Sequence, residues 1–186
     1  MQARKFIDDL LPFLGKKAQN SDACVEALQL IRDIIPISGS ETSPKILNVI
    51  SPLLISAGLD IRLVICGLLG DLAETDPRVL SVANPINELD VTSVMETSGL
   101  DYDTIVYAYE KISMEFFNNI SKNQALVILS RCIYDMSSNE LILRHNANRL
   151  LVSSAELSVQ IPKLEVKSEH ETLEAMVTFI ADGCWI

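Results

Sequence analysis

Aromatic side chains are scarce, at only 5% of the 186 residues, although 48% of the chain is apolar. The apolar remainder is mostly Leu, Ile, Val and Ala, a composition suited to helices packed on helices. Histidine is nearly absent, which leaves few groups for proton transfer near neutral pH. His145 lies between Arg144 and Asn146 in a helical stretch, and His170 lies in a charged one. Neither has a serine, cysteine or metal partner close in sequence. The four cysteines, Cys24, Cys66, Cys132 and Cys184, form no CxxC pair and have no histidine at metal-ligand spacing. Cys24, Cys66 and Cys132 fall within apolar helical patterns and are expected to be small buried hydrophobes.

The phosphate-cradling, dinucleotide, zinc-hydrolase and nucleophile-elbow motifs are also missing. No catalytic, cofactor-binding or metal-binding residue is assigned, and no cofactor and no small-molecule substrate are expected. The most apolar stretch, 46–72, is broken by Pro52, Gly58, Asp60 and Arg62. It never reaches the roughly 20 uninterrupted residues of a membrane span. The first residues lack an apolar signal core, so an intracellular protein is expected. The net charge of −10 excludes a surface that binds nucleic acid over its whole extent. Basic residues are scattered, and only Arg144 with Arg149 suggests a small local patch.

What the sequence does contain is helical periodicity. Phe6, Ile7, Leu10, Leu11 and Leu14 share a stripe that Gly15 ends. Ser21 or Asp22 offers a cap to a second helix carrying Val25, Leu28, Ile31, Ile34 and Ile35, which stops at Pro36. A second pair follows: one helix capped by Ser43 with Pro44 at its first position, running to Ala57 with a kink at Pro52, and another from Asp60 through Ile61, Val64, Ile65, Leu68, Leu69 and Leu72. From Val79 to Gly99 the pattern weakens to a loop with at most one short helix. A single helix then runs from Asp101 or Asp103 through Ile105, Val106, Tyr109, Ile112, Phe116 and Ile120. Another starts at Asn123, and the last strong one begins near Asn139.

The capping positions Asp22, Asp60, Asp101 and Asn139 are separated by 38, 41 and 38 residues, near the roughly 40-residue period of HEAT and armadillo arrays. The phrase "LDIRLVICGLLGDLAE" resembles the second helix of such a repeat, with Asp60 and Arg62 placed to form a polar ladder between neighbours. The expected fold is all-α, a HEAT/armadillo-like α-α superhelix of antiparallel helix pairs. Three to four pairs occupy residues 1–160, with an irregular loop near 77–100. Residues 161–186 are expected to form a charged loop and a short C-terminal helix over Leu173 to Ala181. A helical bundle without repeats is the alternative.

The pairs Asp8 with Asp9 and Glu169 with Glu171 read as solvated faces. Asn119-Ile120-Ser121 is a formal glycosylation acceptor in a helical stretch without a secretion signal, a chance match. Among the aromatics of the 101–120 helix, Tyr109 and Phe116 share a core stripe, while Tyr102 and Tyr107 are candidates for an exposed partner surface.

The phrases "GLDYDTIVYAYEKISMEFF" and "QALVILSRCIYDMSSNELILRHNANRLLV" resemble the DRIM (down-regulated in metastasis) family. That family is the large HEAT-repeat subunit of the small-subunit processome, and the similarity covers Leu28 to Leu151. The resemblance implies a non-catalytic scaffold in pre-18S rRNA processing and ribosome biogenesis, located in the nucleus and nucleolus. It further implies protein partners within a large ribonucleoprotein assembly, indirect or local contact with pre-ribosomal RNA, and no membrane. The residues themselves allow a generic protein-binding adaptor in transport or signalling equally well.

Overall fold

The computed structural model describes residues 2–14, 22–92 and 100–160. The first helix, α1 (Gln2–Leu10), runs into a 3-10 turn over Leu11–Leu14 and buries Ile7 and Leu14. In α2 (Asp22–Ser38) the buried residues Cys24, Ala27, Leu28, Ile31 and Ile35 recur at three- and four-residue spacing, which gives one apolar face. Pro36 does not stop this helix but sits in its last turn. Gly39 then adopts a φ of 77°, a left-handed conformation that glycine takes without a Cβ clash.

Helix α3 (Ser43–Leu54) has Pro44 in its first turn, where the missing N–H costs no helical hydrogen bond, and Pro52 in its last turn, where one bond to the Asn48 carbonyl is forgone. It finishes at Leu54 rather than Ala57. Helix α4 (Leu59–Thr75) is capped by Gly58, and Asp60 is an exposed first-turn residue. There Asp60 favours the positive end of the helix dipole without capping it.

The stretch from 77 differs most from the loop its sequence suggests. A 3-10 turn over Pro77–Val79 leads into a regular helix, α5 (Leu80–Leu89), with Val82, Ala83, Ile86 and Leu89 buried. Pro85 lies within it, and the polar residues Ser81, Asn84 and Asn87 mask the period. The expected single helix over 101–120 is instead two. Asp101 caps α6 (Tyr102–Lys111) by accepting from the Thr104 amide, and Ile112 leaves helical geometry at ψ 86°. Ser113 then caps the short α7 (Met114–Asn118). Helix α8 (Lys122–Met136) starts with a reciprocal capping box between Ser121 and Gln124, which satisfies two otherwise unpaired amides. Helix α9 (Leu141–Gln160) is the last described. Apart from an isolated bridge between Thr92 and Leu100, the described residues contain no extended pairing.

These helices build two layers of an all-α helical-repeat superhelix. One layer runs α2, α4, α5, α6, and the other runs α1, α3, α8, α9. Across the layers α1 faces α2, α3 touches α4, α5 faces α8, and α6 faces α9, with α7 against α9. The first two pairs are consecutive in sequence, and the last two are interleaved. The roughly 40-residue spacing of Asp22, Asp60, Asp101 and Asn139 is therefore not the period of the packing. Asp101 and Asn139 introduce the two members of one pair, and α5 stands between α4 and α6 without a matching cap. The core between the layers is aliphatic, with Leu28, Ile31, Ile46, Ile50, Leu68, Leu69, Ile86 and Val127 all fully buried. Each such side chain contributes roughly 1.5–3 kcal/mol on burial.

Candidate functional site

The most unusual feature of this aliphatic core is a charged cluster where α4, α5, α6 and α8 meet. Arg62 and Arg131 are among the largest fully buried side chains. Arg62 is the fourth residue of α4, and its Nε donates to Asp90 Oδ1 at 2.7 Å while Nη1 donates to the Ala57 carbonyl at 3.0 Å. Asp90 ends α5, where its amide donates to the Ile86 carbonyl. Arg131 donates from Nε to both oxygens of Asp90 at 3.2 and 3.3 Å and from Nη2 to the Leu89 carbonyl at 2.9 Å. One turn later on α8, Asp135 forms an ion pair with Arg131 and accepts from the Tyr109 hydroxyl of α6 at 2.6 Å. The Tyr134 ring lies under both guanidinium groups, 4.1 Å from Arg62 and 5.1 Å from Arg131.

Two arginines and two aspartates make the cluster formally neutral. A neutral, hydrogen-bonded set is the form in which charges persist in a core, because an unmatched buried ion costs several kcal/mol. Its electrostatics place the titrations it moves far from neutrality. Burial works against the charge of Arg131, but the Asp90 and Asp135 carboxylates outweigh it and raise its pKa. Burial, reinforced by the Cys132 and Asp135 charges, holds the Tyr109 hydroxyl well above its ordinary value. Burial pushes the neighbouring thiols of Cys66 and Cys132 up to about 12, so neither is a thiolate near pH 7. The arrangement offers no activated nucleophile. What it does is tie the end of α5 to α4 and α8, and α8 to α6, with directional bonds that an aliphatic contact lacks.

A second tie lies on the surface. Arg32 of α2 donates from Nε to Asp71 of α4 at 2.6 Å, and its guanidinium rests on Gly67, where a Cβ would meet it at 2.8 Å. The polar ladder expected from Asp60 and Arg62 thus has different rungs: Arg62 joins Asp90, and Asp71 joins Arg32.

The other residues singled out in the sequence are dispersed. Cys24 and Cys132 are buried and Cys66 is half-buried, while Cys184 and His170 lie outside the described residues. His145 is exposed on α9. Arg144 donates to the Ser138 carbonyl, and Arg149 is exposed. Tyr109 lies in the core and Phe116 is partly buried against that core, whereas Tyr102 and Tyr107 are exposed. Asn119 is engaged with the Glu115 carbonyl. A cleft of about 120 Å³ between α5 and α6 is lined by Asn84, Pro85, Ile112 and Phe116 and rimmed by the Lys111–Glu88 pair. That is smaller than the roughly 300–1,000 Å³ of small-molecule sites. Among the described residues no group of His, Cys, Asp and Glu could hold a metal, and no helix is long and apolar enough to cross a membrane.

Asp90 and Arg131 escaped sequence reasoning. A signal existed for each: Asp90 directly follows the spacing Val82, Ile86, Leu89, and Arg131 with Asp135 is an i,i+4 pair set inside an apolar helix.

Comparison with known proteins gives one family. The family model described as "U3 small nucleolar RNA-associated protein 20, N-terminal" matches residues 1–180. No curated protein and no solved structure matches the chain.

Proposed function

The chain belongs to the U3 small nucleolar RNA-associated protein 20, N-terminal family, and on that membership we propose that it is a helical scaffold of the small-subunit processome. In this reading it acts in the nucleolus, in ribosome biogenesis and the processing of pre-18S rRNA. Its partners are proteins of a large ribonucleoprotein assembly, with pre-ribosomal RNA touched indirectly or locally. The DRIM-like phrases "GLDYDTIVYAYEKISMEFF" and "SRCIYDMSSNELILRHNANRLLV" belong to the same proposal, as does the HEAT/armadillo character of the helix pairs within residues 1–160.

The observation that carries this reading is the family match over 180 residues. The structure supports a binding role over a chemical one. Stacked helix layers provide an extended surface, and the buried Arg62–Asp90–Arg131–Asp135 cluster stiffens them. The groups moved by burial titrate away from neutral pH, which suits a scaffold without chemistry of its own.

The test is to tag the chain in cells, crosslink mildly, and identify the RNA and proteins that copurify. Enrichment of pre-18S RNA together with processome proteins is the expected result. Recovery of one discrete protein partner without ribosomal precursors would replace this reading with that of a transport or signalling adaptor.

A further inference from the structure

Charge is divided unequally between the two layers. Helices α2 and α4 each carry a net charge of −2, and α5 and α6 each carry −1. In the other layer α1 is neutral, and α3, α8 and α9 each carry +1. Within the first layer and its connecting turn, the cations are already matched: Arg32 by Asp71, Arg62 by Asp90, Arg78 by Asp76 and Lys111 by Glu88. Glu26, Asp33, Asp60 and Glu74 are left exposed, with no ion pair among the described residues.

The same surface is apolar between its charges. On α2, Leu30, Asp33 and Ile37 share a face, and Leu30 and Ile37 are 44% and 75% exposed. On α4, Leu63, Gly67, Gly70 and Glu74 share a face, with Leu63 at 42% exposure. A Cβ at Gly70 would meet nothing within 4 Å. The two faces lie side by side, since α2 packs along α4 and Arg32 crosses from one helix to Asp71 on the other.

We propose that this α2–α4 face docks a lysine- and arginine-rich polypeptide segment that carries aliphatic side chains between its charges. The unpaired carboxylates attract the cations and set on-rate and orientation. The aliphatic positions cover Leu30, Ile37 and Leu63, and the open surface at Gly70 lets the incoming chain approach closely. The phosphate backbone of RNA meets repulsion on this face. The inference stands on the charges and exposures of these two helices and is independent of the processome assignment.

The test uses the full 186-residue chain and a fluorescent synthetic peptide of repeated Lys-Leu-Arg-Ser units, with binding read by anisotropy. The double variant Asp33→Asn/Glu74→Gln is compared with Asp9→Asn/Glu140→Gln, which removes the same charge from exposed positions elsewhere. Circular dichroism checks that each variant keeps its helices. The first pair is expected to weaken binding about tenfold, roughly 1.4 kcal/mol, and the second less than about twofold. Leu30→Ser/Ile37→Ser, or Ile37→Ser alone should the pair fail to fold, is expected to weaken binding without altering its salt dependence. Equal losses in both charge pairs would overturn the proposal, as would undiminished binding by the serine variants. So would an oligouridine RNA that displaces the peptide from this face of the unaltered chain.

Discussion

Arg62 of α4 and Asp90 at the end of α5 meet at 2.7 Å with their side chains 2% and 0% exposed. Because Arg131 also donates to Asp90, this one carboxylate compensates two buried guanidinium groups, which are further held by backbone carbonyls and the Tyr134 ring and, for Arg131, by Asp135.

Removing it leaves uncompensated charge in an aliphatic core. Asp90→Ala is expected to destabilise the chain by about 3–5 kcal/mol, measured by urea denaturation. Glu41→Ala, which breaks the exposed contact with Arg4, is expected to leave the midpoint unchanged, since exposed pairs contribute little.

How legible this cluster was in the sequence depends on where its residues sit. Arg62 stood out because it interrupts the long apolar period of α4, and its role in a polar ladder followed. Its partner did not, because Asp90 terminates a helix whose apolar stripe is diluted by Ser81, Asn84, Pro85 and Asn87. The helical class and the cores of α2 and α4 were plain from spacing alone. The interleaving of the last two pairs was not, because layer membership is decided by packing between residues about 40 positions apart, as with Arg131 and Asp90. The break between α6 and α7 was hidden because Ile112 and Phe116 continue the apolar spacing while Ser113 quietly supplies a cap.

The glycines of α4 make a paired prediction. Gly70→Ala enters open space and is expected to raise stability by about 0.5–1 kcal/mol through helix propensity. Gly67→Ala places its methyl against the Arg32 guanidinium. That side chain must shift away from Asp71, so the gain is expected to be smaller or absent. Thermal unfolding of the two variants checks the difference.

Alkaline pH is expected to weaken the fold, with the sign set by the buried thiols. Burial raises Cys66 and Cys132 from 9.0 to about 12. Their protonated forms are therefore favoured in the folded state, and the unfolded chain loses protons first. Stability is fully present below pH 9 and falls from there towards pH 12. The melting temperature of Cys132→Ala, although lower near pH 7, is expected to decline less between about pH 8 and about pH 10 than that of the parent, about one unit on either side of the unfolded thiol's 9.0. In the native chain at neutral pH, the peptide containing Cys132 is expected to resist alkylation until denaturant is added, as mass spectrometry would reveal.

The start of α8 is set by a local device. Ser121 accepts from the Gln124 amide and Gln124 accepts from the Ser121 amide. Ser121→Ala is expected to cost roughly 1 kcal/mol, read as a lowered urea midpoint, while Ser121→Asp is expected to retain most of the stability.

A stiff helical component of a large ribonucleoprotein assembly, the role proposed above, must travel with that assembly. Sedimentation of the tagged chain through a gradient of nuclear extract, beside its Asp90→Ala variant, tests it most directly. The parent chain is expected to sediment with particles containing pre-18S RNA, and the variant to shift to the slow fractions. A parent chain found only in the slow fractions, free of those particles, would contradict it.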